Sequence, residues 1–150
     1  MERPTEYLER AIIGYCLRYP HDLIKIIESG VTPEMFSVHR EFYEEFIRRF
    51  RNKEEISIGA MGITFPEKAI LLSDLDSQAP TSSVQYTKEL RYHHDQVRFK
   101  QLLRDTHEQI TTNKKIDGNH LQEIMSELVS KIFEKPSAFK KSRQWNEVTP

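Results

Sequence analysis

The chain has 150 residues, 37% hydrophobic and 30% charged, with a formal net charge of −1 and a pI near 6.6. That is room for one ordinary domain, or for a compact head plus an extension, and it excludes a chain-wide electrostatic footprint for nucleic acid, so any DNA contact has to be local. Its single cysteine, Cys16, excludes an internal disulfide and suits a reducing compartment, and the longest apolar run is only Ala11–Leu17 behind a charged Met1-Glu2-Arg3-Pro4, so neither a signal peptide nor a membrane span is expected and the location expected is cytoplasmic.

Taken in order, Thr5 can cap a first helix whose Leu8, Ala11, Ile12, Tyr15 and Cys16 share a face, and Pro20 closes it. A short second helix over 21–29 turns Leu23, Ile24, Ile26 and Ile27 inward and ends at Gly30. Thr32-Pro33-Glu34 is a helix start: a cap, a proline whose missing N–H costs nothing at the first position, and an acid at the positive end of the dipole. Over 37–51, Phe42, Tyr43, Phe46, Ile47 and Phe50 recur at helical spacing. Acids alternate with arginines on the other side, so the aromatics read as core and not as a base-stacking platform, which needs a basic groove. Ile56-Ser57-Ile58 alternates like a strand, but Gly59 and Gly62 interrupt it, and 54–66 is read as a loop with one helical turn. Over 67–75, Ala69, Ile70, Leu72 and Leu75 are available as core of a further short helix.

The clearest pattern lies in 82–133. Ser82 with Gln85 has the form of a capping box, and a helix from there through Leu90, Val97, Phe99, Leu102, Leu103 and Ile110 would be about 45 Å long. Asn113 can end it, Asp117-Gly118 turns the chain, Asn119 can cap the next helix and Pro136 stops it. In that second helix Leu121, Ile124, Met125, Leu128, Val129, Ile132 and Phe133 form one apolar stripe opposite Gln122, Glu123, Ser126, Glu127, Ser130 and Lys131. A helical hairpin of this kind has too few apolar partners of its own, so it is expected to pack on a second copy or another protein. After Pro136 the composition turns basic and aperiodic, with Phe139 and Trp145 as possible anchors of a linker. The expected class is therefore all-α: a head of about five or six short helices over 1–80, a long hairpin over 81–135, and a linker over 136–150.

Chemistry is scarce. Glycine occurs five times, in no phosphate-cradling or dinucleotide-binding pattern, and there is no nucleophile elbow around any serine. His93-His94-Asp95 with His39 and His107 is the one constellation with metal-ligand residue types, as a helical metal-dependent hydrolase would use. The plainer reading makes them solvated or packing residues. No catalytic residue, cofactor or metal is expected in this chain.

Three stretches together resemble the N-terminal domain of DnaB-type replicative DNA helicases. They are Leu8-Glu9-Arg10-Ala11-Ile12-Ile13-Gly14 with Leu17 and Pro20; Val31-Thr32-Pro33-Glu34-Met35-Phe36 followed by His39-Arg40 and the aromatic helix; and Tyr86 leading through Arg98 to Leu102-Leu103. The second is the most specific, and the match runs over about 8–133. One departure is Asn52-Lys53-Glu54-Glu55-Ile56-Ser57, which lacks the aspartate usual in that family after the aromatic helix. The resemblance implies a non-catalytic collar that assembles with itself as a dimer, or as a hexamer within a full ring, and receives a DnaG-type primase or a helicase loader. ATP and magnesium would belong to a motor domain beyond Pro150, DNA would be met only through the full ring, and no membrane is involved. Dimerisation or partner contact would fall on Tyr86, Ile116, Leu121, Ile124, Leu128 and Ile132, with His39 and Arg40 holding the head together. The other reading that fits is a stand-alone helical adaptor, a helicase loader or inhibitor that mimics such a collar.

Overall fold

A computed structural model of the chain describes residues 5–112 and 117–133. These are all-α: α1 (Glu6–Arg18), α2 (Leu23–Glu28), α3 (Arg40–Arg51), α4 (Ile58–Thr64), α5 (Ala69–Ser77), α6 (Val84–Thr112) and α7 (Gly118–Ile132), with 3-10 turns at Pro20–Asp22, Pro33–Met35 and Pro66–Lys68 and no strand among the described residues. All three 3-10 turns open on a proline, whose fixed φ suits the first position of a helical turn. Two compact units part between Arg91 and Tyr92, inside α6.

The first unit holds one core. Ile12, Ile13 and Cys16 of α1, Leu23 of α2, Phe42, Tyr43 and Phe46 of α3, Met61 of α4, Leu72 and Leu75 of α5 and Leu90 of α6 are all fully buried. Phe36 stacks on Tyr43 at 4.5 Å, and Phe65 meets Phe42 edge-on at 5.2 Å, both within the favourable range for aromatic pairs. The Tyr43 hydroxyl donates to the Val31 carbonyl at 2.8 Å, so this buried phenol is satisfied. α1 crosses α5 at Gly14, where a Cβ would overlap the Leu75 carbonyl oxygen and come within 3.1 Å of its carbon. Gly30 ends α2 with φ of 97°, the left-handed conformation that glycine adopts without strain.

Several local expectations are corrected. Thr5 does not cap α1 with its side chain; its hydroxyl donates to Glu9 at 3.0 Å. The stretch 54–66 contains a seven-residue helix, α4, because the Ser57 hydroxyl accepts the Ala60 N–H at 3.1 Å, while Arg49 donates to the carbonyls of Glu55 and Ala60 and to the Thr64 hydroxyl. Ala69, Ile70 and Phe50 are exposed instead of core; Ile70 and Leu72 lie some 200° apart on α5, and Leu72 takes the inward side. The Ser82–Gln85 capping box does not form: the Ser82 hydroxyl accepts the Val84 N–H at 3.4 Å, and Gln85 turns to Glu89. Asp117, not Asn119, caps α7, accepting the His120 N–H at 2.8 Å. Asn113 and everything from Glu134 onward, including Pro136, Phe139 and Trp145, lie outside the described residues.

The second unit contains the remainder of α6 and α7. Arg98, about four turns before the end of α6, donates from its guanidinium to the Lys131 carbonyl, about four turns into α7, so the two helices run antiparallel. The covered positions recur every four residues, at His94, Arg98, Leu102 and Thr106 on α6 and at His120, Ile124, Leu128 and Ile132 on α7, and that pattern marks these as the rows turned toward each other.

Candidate functional site

Two places combine unusual chemistry with a definite geometry. The first lies inside the head, where a carboxylate is buried outright. Glu9 has no exposed surface, and its two oxygens accept five hydrogen bonds: from the N–H groups of Ser37, Val38 and His39 at 3.0, 2.9 and 3.0 Å, from the Ser37 hydroxyl at 2.7 Å and from the Thr5 hydroxyl at 3.0 Å. Burial alone would push its pKa up; the His39 N–H, the Ser37 hydroxyl and the Ser37 and Val38 N–H groups outweigh that and hold it below the usual carboxylate range. Chemically this is an N-terminal anchor. The segment leading into α3 has orphan amide donors, and a side chain from α1 supplies the acceptor that a local cap would otherwise provide. Arg40 closes the same segment from the other side, donating to the Phe36 carbonyl at 3.1 Å and to the Glu34 carbonyl at 3.3 Å. His39 is buried and stacks on Phe42. The first two resemblance-bearing stretches therefore meet here, Glu9 from one and Ser37-Val38-His39-Arg40 from the other.

The second place is a surface. Moving one residue along a helix turns 100°, so the row next to the covered one on α7 is Leu121, Met125, Val129 and Phe133, all exposed. The corresponding row on α6 contains Phe99 and Leu103, also exposed. In an antiparallel pair the same rotation from the contact line carries both rows to the same side. The result is one apolar strip of six side chains beside a covered core of Ile124 and Leu128, which are 4% and 7% exposed. The stripe on α7 is thus half used.

Of the residues expected to mediate assembly, Ile124 and Leu128 are buried, Ile132 is half-buried and Leu121 is on the open strip. Tyr86 belongs to the first unit and packs half-buried against its core, and Ile116 lies outside the described residues. His93 and Asp95 are exposed on α6, and among the described residues no three His, Cys, Asp or Glu side chains are grouped to hold a metal ion. No helix among the described residues is long and apolar enough to cross a membrane. Reading the sequence missed Glu9 as a buried group, although its i, i+4 relation to Thr5 and its place between Leu8 and Ile12 on the inner face were visible signals.

Comparison with protein-family models, with curated proteins and with solved structures found no match.

Proposed function

We propose that the chain is a non-catalytic assembly and docking module, the N-terminal collar of a DnaB-type hexameric replicative DNA helicase, which pairs through its second unit and serves DNA replication by receiving a DnaG-type primase or a helicase loader. The observation that carries this reading is the half-used stripe of α6–α7: Phe99, Leu103, Leu121, Met125, Val129 and Phe133 stand open next to a covered core. A second copy would complete it. The meeting of Glu9 with the Ser37–Arg40 segment supports the family side of the reading, since the two stretches that carry the resemblance depend on each other in the fold.

Covering these six exposed side chains gains about 1 kcal/mol each, so two copies together gain on the order of 12 kcal/mol, against about 4–15 kcal/mol for association. Self-association in the micromolar range or weaker is the expected consequence. Sedimentation of the 150-residue chain across a concentration series, with Met125→Glu/Val129→Glu in parallel, tests the strip. The chain should dimerise and the variant should remain monomeric at unchanged helix content. Titration with the purified helicase-binding domain of a DnaG-type primase then tests the family. A chain that stays monomeric at millimolar concentration and ignores the primase domain would sink the proposal; a dimer that ignores it would leave an assembly module of another kind.

A further inference from the structure

The segment Ser37–His39 is held between α1 and α3 in two chemically different ways. Its backbone amides donate to Glu9, and the His39 side chain is 4% exposed, its ring stacked on Phe42 with centroids 5.9 Å apart and planes 9° apart. His39 Nε2 is buried without a hydrogen-bond partner, and Glu6 Oε1, on a side chain that is 22% exposed, stands 3.9 Å away. The charged groups facing the ring are Glu6, Glu9 and Arg10 from α1 and Lys68 from the Pro66–Lys68 turn, which also lies over the Phe42 ring and pairs with Glu41. A ring so placed suits only the neutral imidazole, since a cation there is desolvated while the Glu9 carboxylate beside it is already committed to five donors. The partly open Glu6 carboxylate stands within a short swing of the ring.

We propose that His39 is an acid-opened latch on the joint between α1 and α3: protonation turns the imidazolium off its Phe42 stack toward Glu6, and the Ser37–His39 segment loosens from Glu9. Desolvation first, then Arg10 and Lys68, hold the His39 pKa below its ordinary value against the opposing pull of Glu9 and Glu6. The sign follows from that direction. A base whose folded pKa lies below the unfolded one, near 6.5, keeps the latch closed above that pH and loses closure as pH falls below it, by up to about tenfold per unit.

Amide hydrogen exchange of the full chain, read as protection factors between pH 7.5 and 5.5, tests the latch at the Ser37, Val38 and His39 amides against that of Ile12 as a global reference. The three amides should lose about tenfold in protection toward pH 5.5, Ile12 should lose less, and His39→Phe, which keeps the stack and the backbone donors, should flatten the dependence. Glu6→Gln, an isosteric change outside the apolar core, should move the opening to lower pH by removing the carboxylate that favours the charged ring. Equal losses in the wild type and His39→Phe, no loss in the wild type, or an opening moved to higher pH by Glu6→Gln would each overturn the proposal.

Discussion

Replacing Glu9 probes the head at its most concentrated point. Glu9→Gln keeps the shape: Oε1 can still accept the three N–H groups, while the new amide donates and forces the Thr5 and Ser37 hydroxyls to turn round. Hydrogen bonds to a charged group are worth about 1.5–3 kcal/mol against about 0.5–1.5 kcal/mol for neutral ones. Five bonds share one charge and are not additive, and removing a buried charge returns some desolvation energy, so a net loss of about 2 kcal/mol is expected. Glu9→Ala also leaves the buried His39 N–H without an acceptor and opens a cavity, and should cost about 4 kcal/mol. At about 3 °C per kcal/mol for a chain of this length, thermal melts followed by circular dichroism should fall by about 6 and 12 °C. The melts carry an independent pH signature. The Glu9 pKa is depressed in the folded state, so its contribution is present above the unfolded value of about 4.3 and is lost as pH falls through the folded one, and the wild-type and Glu9→Gln curves should converge in acid. A Glu9→Ala protein within 1 kcal/mol of wild type, taken as an order-of-magnitude threshold, or a gap between wild type and Glu9→Gln that is the same at pH 3 as at pH 7, would refute the reasoning.

Two further outcomes follow from burial. Gly14→Ala gains up to about 1 kcal/mol of helix propensity but drives its methyl into the Leu75 backbone, which cannot rotate away, so urea titration should show a net loss of about 3 kcal/mol; a variant as stable as wild type would mean that α1 and α5 do not cross there. Cys16 is fully buried and its thiol is pushed far up by burial and by Asp22, so a thiol reagent should label the native chain at least about a thousandfold more slowly than the chain in urea, and prompt stoichiometric labelling of the native state would contradict the core described.

Much of the fold was legible because the head is punctuated by residues with one structural meaning. Pro20, Gly30 and Pro33 mark breaks that the helices respect, and the inward rows of α1, α2 and α3 follow from three- and four-residue spacing. What escaped depends on distant partners. Glu9 sits at an inner position of α1, but acids are ordinarily solvated, and its acceptors' partners lie 28 to 30 residues away. α4 contains two glycines and few helix formers, and it exists because Ser57 caps it and Arg49 reaches into it from α3. Ile70 looked like core by hydrophobicity alone, yet α5 is covered on one side only and Leu72 and Leu75 fill it. The candidate strip was half legible: the stripe on α7 is plain in the sequence, whereas its division into a covered and an open row depends on where Arg98 meets Lys131.

The close crossing at Gly14 also sets an order of events. α1 emerges during synthesis about 60 residues ahead of Leu75, its backbone neighbour, and at roughly 5–20 residues per second the apolar face of α1 waits roughly 3–12 s for the helix that covers it. Local helices can form in that interval, but the core cannot close, since Leu72 and Leu75 arrive only at its end and Leu90 later still. For those seconds Ile12, Ile13 and Cys16, fully buried in the finished head, lack the α5 face that covers them.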